Sequence, residues 1–230
     1  MGLGITLAIF GLGQGAGAVT YNYDDIYANW PGWFINAQDE IGQPQITDID
    51  GIIVTIEGGY LREVVIDMDP EFRIPWDNSA TDPYYDSLFI NSNWNGSFDD
   101  YQSWDYYVRD DTQNNDSDGT LYQVSSSYRY IFAPTLAGAN LRSGHPAGIE
   151  TGLTPITGIS GFFVVWDEGE YKIIYTFPSN LISVGDRFVI GYSVWCANDV
   201  ALTPVPEPGA ILLLGMGLLT LGIAARKIRR

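Results

Sequence analysis

The sequence predicts a mostly β protein: a single, jelly-roll-like β-sandwich ectodomain with a transmembrane helix at its C-terminal end. Three observations predict it. Up to Pro204 the apolar residues fall in short, often alternating runs, the period of a strand rather than of a helix. Glycine and proline punctuate those runs, as at Pro70, Pro75, Pro83, Gly96, Gly119, Pro134 and Gly138, and break any long helix placed there. Beyond Pro204 the pattern changes. Residues 209–225 form an uncharged apolar stretch of 17 residues, within the roughly 17–25 that cross a bilayer as a helix.

Taken along the chain, the apolar run 3–12 and the small-x-small site Ala16-Gly17-Ala18 predict a signal peptide over 1–18, with maturation after Ala18. No Lys or Arg precedes that run, so its positive end is either the amino terminus alone or lies upstream of Met1. The glycines at 11, 13, 15 and 17 have neither dinucleotide-binding nor Walker spacing, and no Lys-Ser/Thr follows them. The ectodomain occupies 19–202. Its first hairpin joins the β-branched run 52–56 to 61–68 through Glu57-Gly58-Gly59. Further on, Tyr122, Val124, Tyr128, Tyr130 and Phe132 share one parity, with Gln123, Ser125, Ser127 and Arg129 on the other, as in a half-buried strand. Residues 136–159, rich in Gly, Pro and Thr, read as a long loop. A second hairpin joins 162–166 to 171–177 through Asp167-Glu168-Gly169, and Val184-Gly185-Asp186 turns the chain into a strand over 187–195. Thr203-Pro204-Val205-Pro206 reads as the linker to a tail occupying 203–230.

Charge narrows the partners. Of 11 Lys and Arg, four lie in the tail and seven outside it; of 28 Asp and Glu, only Glu207 lies in the tail, leaving 27 and an ectodomain balance of −20. Such a domain repels nucleic acid and anionic membrane surfaces. Seven Trp and 15 Tyr supply ample surface to bury, which argues against disorder. Cys196 is the single cysteine, so no disulfide forms within the chain and the core rests on packing.

Two segments carry candidate binding chemistry. Between 84 and 107 stand Tyr84, Tyr85, Phe89, Trp94, Phe98, Tyr101, Trp104, Tyr106 and Tyr107, mixed with Asp and Asn. Rigid rings flanked by carboxylates and amides suit sugars, which present apolar C–H faces with polar rims. Trp94, Tyr101, Trp104 and Tyr106 are the candidate carbohydrate-binding residues, and the competing expectation is that these rings fill the core. Asn114, Asp116 and Asp118, followed by Gly119, match the first half of a calcium loop. Its second half is missing, since Ser125 stands where a bidentate Glu belongs, and an Asn/Asp/Gly cluster also makes an ordinary turn. Catalytic residues are not expected. His145 is the sole histidine and sits in a Gly-His-Pro turn; 27 carboxylates always offer some pair at glycosidase separation; and a zinc site needs more His or Cys.

The tail combines Val205, Pro206, Glu207 and Pro208, the apolar span, and a basic end of Arg226, Lys227, Arg229 and Arg230. The prolines cannot enter a helix interior and so separate the ectodomain from the span. The cations favour the cytoplasmic side, acting as a stop. This tripartite order resembles the PEP-CTERM sorting signal of exported bacterial proteins. That resemblance implies processing by an exosortase, a membrane-embedded, cysteine transpeptidase-like enzyme acting near Pro-Glu-Pro. The residues 205–208 are then recognition residues in a substrate. The run Trp195-Cys196-Ala197-Asn198-Asp199 resembles the domain ends found ahead of such tails. The resemblance also implies a bacterium with exopolysaccharide or biofilm matrix. The expected function is a non-enzymatic protein, exported through the inner membrane, transiently anchored there, and then placed at the cell surface or in the extracellular matrix in a structural or interaction role. The alternatives are a carbohydrate-binding module or adhesin using the 84–107 aromatics and, third, an envelope hydrolase.

Overall fold

The computed structural model describes residues 17–24, 49–68, 86–97, 102–110, 119–132, 146–167, 169–193 and 200–205. They form strands β1 (Ala18–Asp24), β2 (Ile49–Glu57), β3 (Tyr60–Met68), β4 (Asp86–Asn91), β5 (Tyr106–Asp110), β6 (Gly119–Phe132), β7 (Pro146–Pro155), β8 (Phe163–Asp167), β9 (Lys172–Thr176), β10 (Phe188–Ser193) and β11 (Val200–Val205). Every named pairing is antiparallel. One sheet has five strands in the order β1-β2-β3-β9-β8, the other six in the order β11-β10-β4-β5-β6-β7. Among the described residues there is no helix, and so none that crosses a membrane.

Both predicted hairpins form, each by its own turn chemistry. Gly58 and Gly59 take φ of +62° and +82°, the left-handed pair that a two-residue turn needs to match strand twist, so β2 and β3 close directly. Between β8 and β9 the Asp167 Oδ1 accepts the backbone N–H of Gly169 at 3.0 Å and of Glu170 at 3.2 Å, an Asx turn. The strand expected over 187–195 is β10. It is buried at every position because it lies between β11 and β4 with apolar residues packed on both its faces.

One core joins the two sheets. Ile52, Val54, Val64, Ile66, Val164, Ile173 and Tyr175 meet Leu88, Ile90, Val108, Leu121, Phe188, Ile190 and Tyr192 in a single cluster, as the inner faces of a β-sandwich do. A second, smaller cluster of Phe89, Trp104, Tyr107, Val124, Ile149 and Val189 lies on the opposite face of the six-stranded sheet. That face is covered by its own strands. Strand β6 is 14 residues long, and between its pairs Val124↔Leu153 and Arg129↔Thr151 four residues stand opposite Gly152 alone. The ribbon of β6 and β7 bends there and folds back, so β7 touches β4 and β10, which are not its neighbours in the sheet.

Several expectations change. The stretch 136–159 is not one long loop, because it contains β7. Its Pro146, Gly152 and Pro155 are tolerated since β7 is an edge strand and bulged. The presumed linker begins too early: Thr203, Pro204 and Val205 complete β11, where Pro204 again sits on an edge strand. The jelly-roll detail does not match the connectivity, since β1 to β3 stay in one sheet and β4 to β7 in the other before the chain crosses. The parity read in β6 is correct for Tyr122, Val124, Tyr128 and Tyr130, but Leu121 on the other parity enters the inter-sheet core. Of the signal peptide expected over 1–18, residues 1–16 lie outside the described residues, while Ala18 opens β1; His145, Trp195 to Asp199 and the span 209–225 also lie outside them.

Candidate functional site

The bend in the β6–β7 ribbon opens a cleft of about 810 Å³. One wall is the segment leading into β5, with Gln102, Ser103, Trp104 and Asp105; the other is the ribbon, with Val124, Ser126, Tyr128, Arg129, Tyr130 and Glu150. Its size lies in the range of small-molecule sites, roughly 300–1,000 Å³.

The floor is held rigidly. Asp105 anchors the segment: its Oδ2 accepts the Ser92 N–H at 2.8 Å and the Ser92 hydroxyl at 2.5 Å, while its backbone carbonyl accepts the Val124 N–H at 2.9 Å. The Trp104 indole N–H donates to the Tyr130 hydroxyl, which donates to Gln102 Oε1 at 3.0 Å. The Tyr128 hydroxyl donates to the Gln102 carbonyl and lies 3.2 Å from that of Tyr130. The two tyrosine rings meet edge to face, centroids 5.1 Å apart, and Phe89 packs on Trp104 at 5.4 Å and on Tyr130 at 6.2 Å. Burial raises the Tyr128 pKa above its ordinary value, and the Tyr130 hydroxyl works against that shift. Tyr128 is therefore neutral at physiological pH and serves as a hydrogen-bonding ring, not an anion.

At the rim, Arg129 and Glu150 face each other across paired strands, Nη2 to Oε2 at 3.0 Å. Their side chains are 69% and 57% exposed, so the pair is solvent-screened and contributes little to stability. It does put a guanidinium fork and a carboxylate beside two tyrosine rings. Chemically, the cleft offers aromatic surface, one cation, two carboxylates, an amide and two serine hydroxyls.

Of the residues singled out from the sequence, Trp94, Trp104 and Tyr106 lie among the described residues, and only Trp94 and Trp104 share one cluster. Trp104 is in the cleft but only 3% exposed, its N–H engaged, so it supports the floor as a core ring. Trp94 is half-buried against the same cluster and donates its N–H to the Ser97 carbonyl at 2.7 Å. Tyr106 faces the other way, against the inter-sheet core, because it is one residue out of phase with Tyr107 on β5. Burial raises its pKa, helped by the Asp105 charge. Tyr101, Asn114, Asp116 and Asp118 lie outside the described residues, as do Pro206, Glu207 and Pro208 and the basic end. Among the described residues no cluster of three metal-ligating side chains occurs. Sequence reasoning missed Gln102, Arg129 and Glu150 as partners. The available signal was Ser125-Ser126-Ser127, a polar triplet that interrupts the tyrosine alternation where the ribbon bends.

Strand β11 ends at Val205, so the described fold stops one residue before Pro206. Residues 204–230 match the family model described as the PEP-CTERM protein-sorting motif. The motif implies an exported protein, recognised by an exosortase and held transiently in the membrane before it is cut. No curated protein and no solved structure matches the chain.

Proposed function

We propose that this protein is cargo of an exosortase that ends at the cell surface or in the extracellular matrix, in a structural or interaction role linked to exopolysaccharide or biofilm. The observation that carries this is the sorting motif at 204–230, which begins within the last described strand of a folded, acidic, two-sheet domain. With no spacer longer than Pro206-Glu207-Pro208 between β11 and the apolar span, the domain is held close to the membrane until the tail is cut. Three extended residues reach at most about 11 Å. Replacing Pro206 and Pro208 by Ala is expected to leave an unprocessed, membrane-retained chain, read by blotting of fractionated cells. Normal release of that variant would refute exosortase handling.

A second reading, a carbohydrate-binding module or adhesin, is favoured by the cleft and moves from the 84–107 aromatics to the ribbon. The cleft-lining Tyr128 ring can meet a sugar's C–H face, with Arg129, Glu150 and Ser126 bonding its hydroxyls. On a glycan array, binding by the full chain should be lost in Arg129→Ala and Tyr128→Ala and kept in Trp94→Ala. An identical profile for all four proteins removes a ligand from the cleft without touching the sorting proposal.

A further inference from the structure

Among the described residues, strand β8 is an edge of the five-stranded sheet, and it differs from the other three edges in showing two large exposed apolar side chains, where β1 shows Val19 alone. Sheet edges display unpaired backbone groups, and soluble proteins guard them with proline, lysine, bulges or polar side chains. Edge strand β7 carries Pro146, Pro155 and a bulge, and β11 carries Pro204. On β1 the residues alternating with the core-packed Tyr21 and Tyr23 are Thr20 and Asn22, both exposed and polar. On β8, Phe163 and Val165 point away from the core and are 56% and 44% exposed, with no proline, glycine or lysine within the strand. Its one charge, Asp167, is turned back to the amides of Gly169 and Glu170.

The exposed side chains of β8 continue a pattern across the sheet. Register places Val165 beside Ile174, Ile174 beside Val65 and Val65 beside Ile53. Their sequence neighbours Val164, Ile173, Val64 and Val54 all lie in the inter-sheet core, so this row lies on the outer face, with Val65 buried there at 8% exposure, Ile53 and Ile174 half-buried and Val165 exposed. An apolar stripe thus crosses four strands and runs out at the unguarded edge.

We propose that β8 is a self-assembly edge, at which a second copy of this chain pairs antiparallel to the first about a twofold axis at Val165. The strand is self-complementary in that register. Val165 meets its own copy, Val164 meets Trp166 of the second copy and Phe163 meets Asp167, so no carboxylate opposes a carboxylate. The two five-stranded sheets become one, and the stripe Ile53-Val65-Ile174-Val165 continues into the stripe of the second molecule. Long-range repulsion between two acidic domains opposes the contact, so added salt strengthens it, the reverse of an interface held by ion pairs. The inference does not depend on the sorting proposal or on the cleft.

Disulfide trapping in the full chain, in membranes and in a Cys196→Ser background, tests both contact and register. Residues directly opposite in antiparallel strands have Cα atoms about 4.5–5.5 Å apart, within disulfide reach. Val165→Cys is expected to give an oxidant-dependent dimer on a non-reducing gel, with a yield that rises with NaCl. Phe163→Cys alone lies about 13 Å from its own copy and should give none, at roughly 3.3 Å per residue. Phe163→Cys co-expressed with Asp167→Cys restores the crosslink. All three positions are on a strand edge, and unchanged melting curves establish that the variants are folded. Absence of the Val165 dimer, equal trapping by Val19→Cys on β1, or a yield that falls with salt overturns the proposal. As a second measurement, Val165→Lys should abolish any concentration-dependent dimer of the detergent-solubilised full chain in sedimentation; retention of that dimer also overturns it.

Discussion

Gly152 sits at φ +85°, and a Cβ placed there would stand 2.7 Å from the Ser125 hydroxyl and 2.8 Å from the Tyr128 Cα. Both the backbone conformation and the space forbid a side chain, so this one residue sets the bend that makes the cleft. Gly152→Ala is expected to cost about 1–3 kcal/mol, from left-handed strain and overpacking together, measured as a lowered denaturation midpoint. A midpoint equal to wild type would show that the bend does not depend on glycine. Tyr128 gives a second test. Its pKa is raised in the folded state by burial, so its contribution is fully present below the unfolded value near 10 and is lost as pH rises through the folded one. Stability should therefore fall above pH 10, and Tyr128→Phe should make that fall shallower, with Tyr21 and Tyr106, also raised, maintaining the remainder. An unchanged slope in the variant contradicts a buried, neutral Tyr128. At this scale the sequence was misleading about Trp104. An aromatic in an Asp/Asn-rich stretch has the composition of a sugar platform, yet its indole N–H is satisfied internally and the ring lies at 3% exposure. Composition reports what a side chain can do, whereas burial decides which surface it still presents.

Elements were legible where local chemistry alone decides them. Glu57-Gly58-Gly59 dictates its hairpin because only glycine adopts two successive positive φ angles at no steric cost. β7 and β11 were not legible. Proline and glycine argue against a strand in general, and only position at a sheet edge, with one side of the backbone unpaired, makes them acceptable. The close passage of the two sheets was equally hidden. A Cβ on Gly119 in β6 would come 2.3 Å from Val164 Cγ2 in β8 of the other sheet. Gly119→Val is therefore expected to force the layers apart and destabilise the domain by about 1–3 kcal/mol, read by chemical denaturation. A neutral result would mean that the sheets are not in contact at that point. The parity of β6 was read correctly, and Gln123, Ser125, Ser127 and Arg129 form its solvated face, but Leu121 meets the inter-sheet core, and alternation within one strand carries no information about that second apolar layer.

For the whole molecule, charge and tail set the behaviour. An ectodomain of seven cations and 27 carboxylates repels itself, so its melting temperature should rise with NaCl as that repulsion is screened. At matched ionic strength, a larger rise with calcium chloride that Asp116→Ala abolishes would assign a specific ion to Asn114, Asp116 and Asp118, while equal rises would assign the effect to screening alone. By itself the sequence determined the β class, both principal hairpins, the acidic balance and the sorting tail. Each of these is written in neighbouring residues, as turn glycines, alternation, net charge or a contiguous motif. Tertiary structure alone decided which aromatics became core, that Arg129 and Glu150 share a cleft with Tyr128, and that Val165 stands at an open edge. Those facts depend on register and on which strands lie at the margins of a sheet, and both are settled by contacts between residues far apart in the chain.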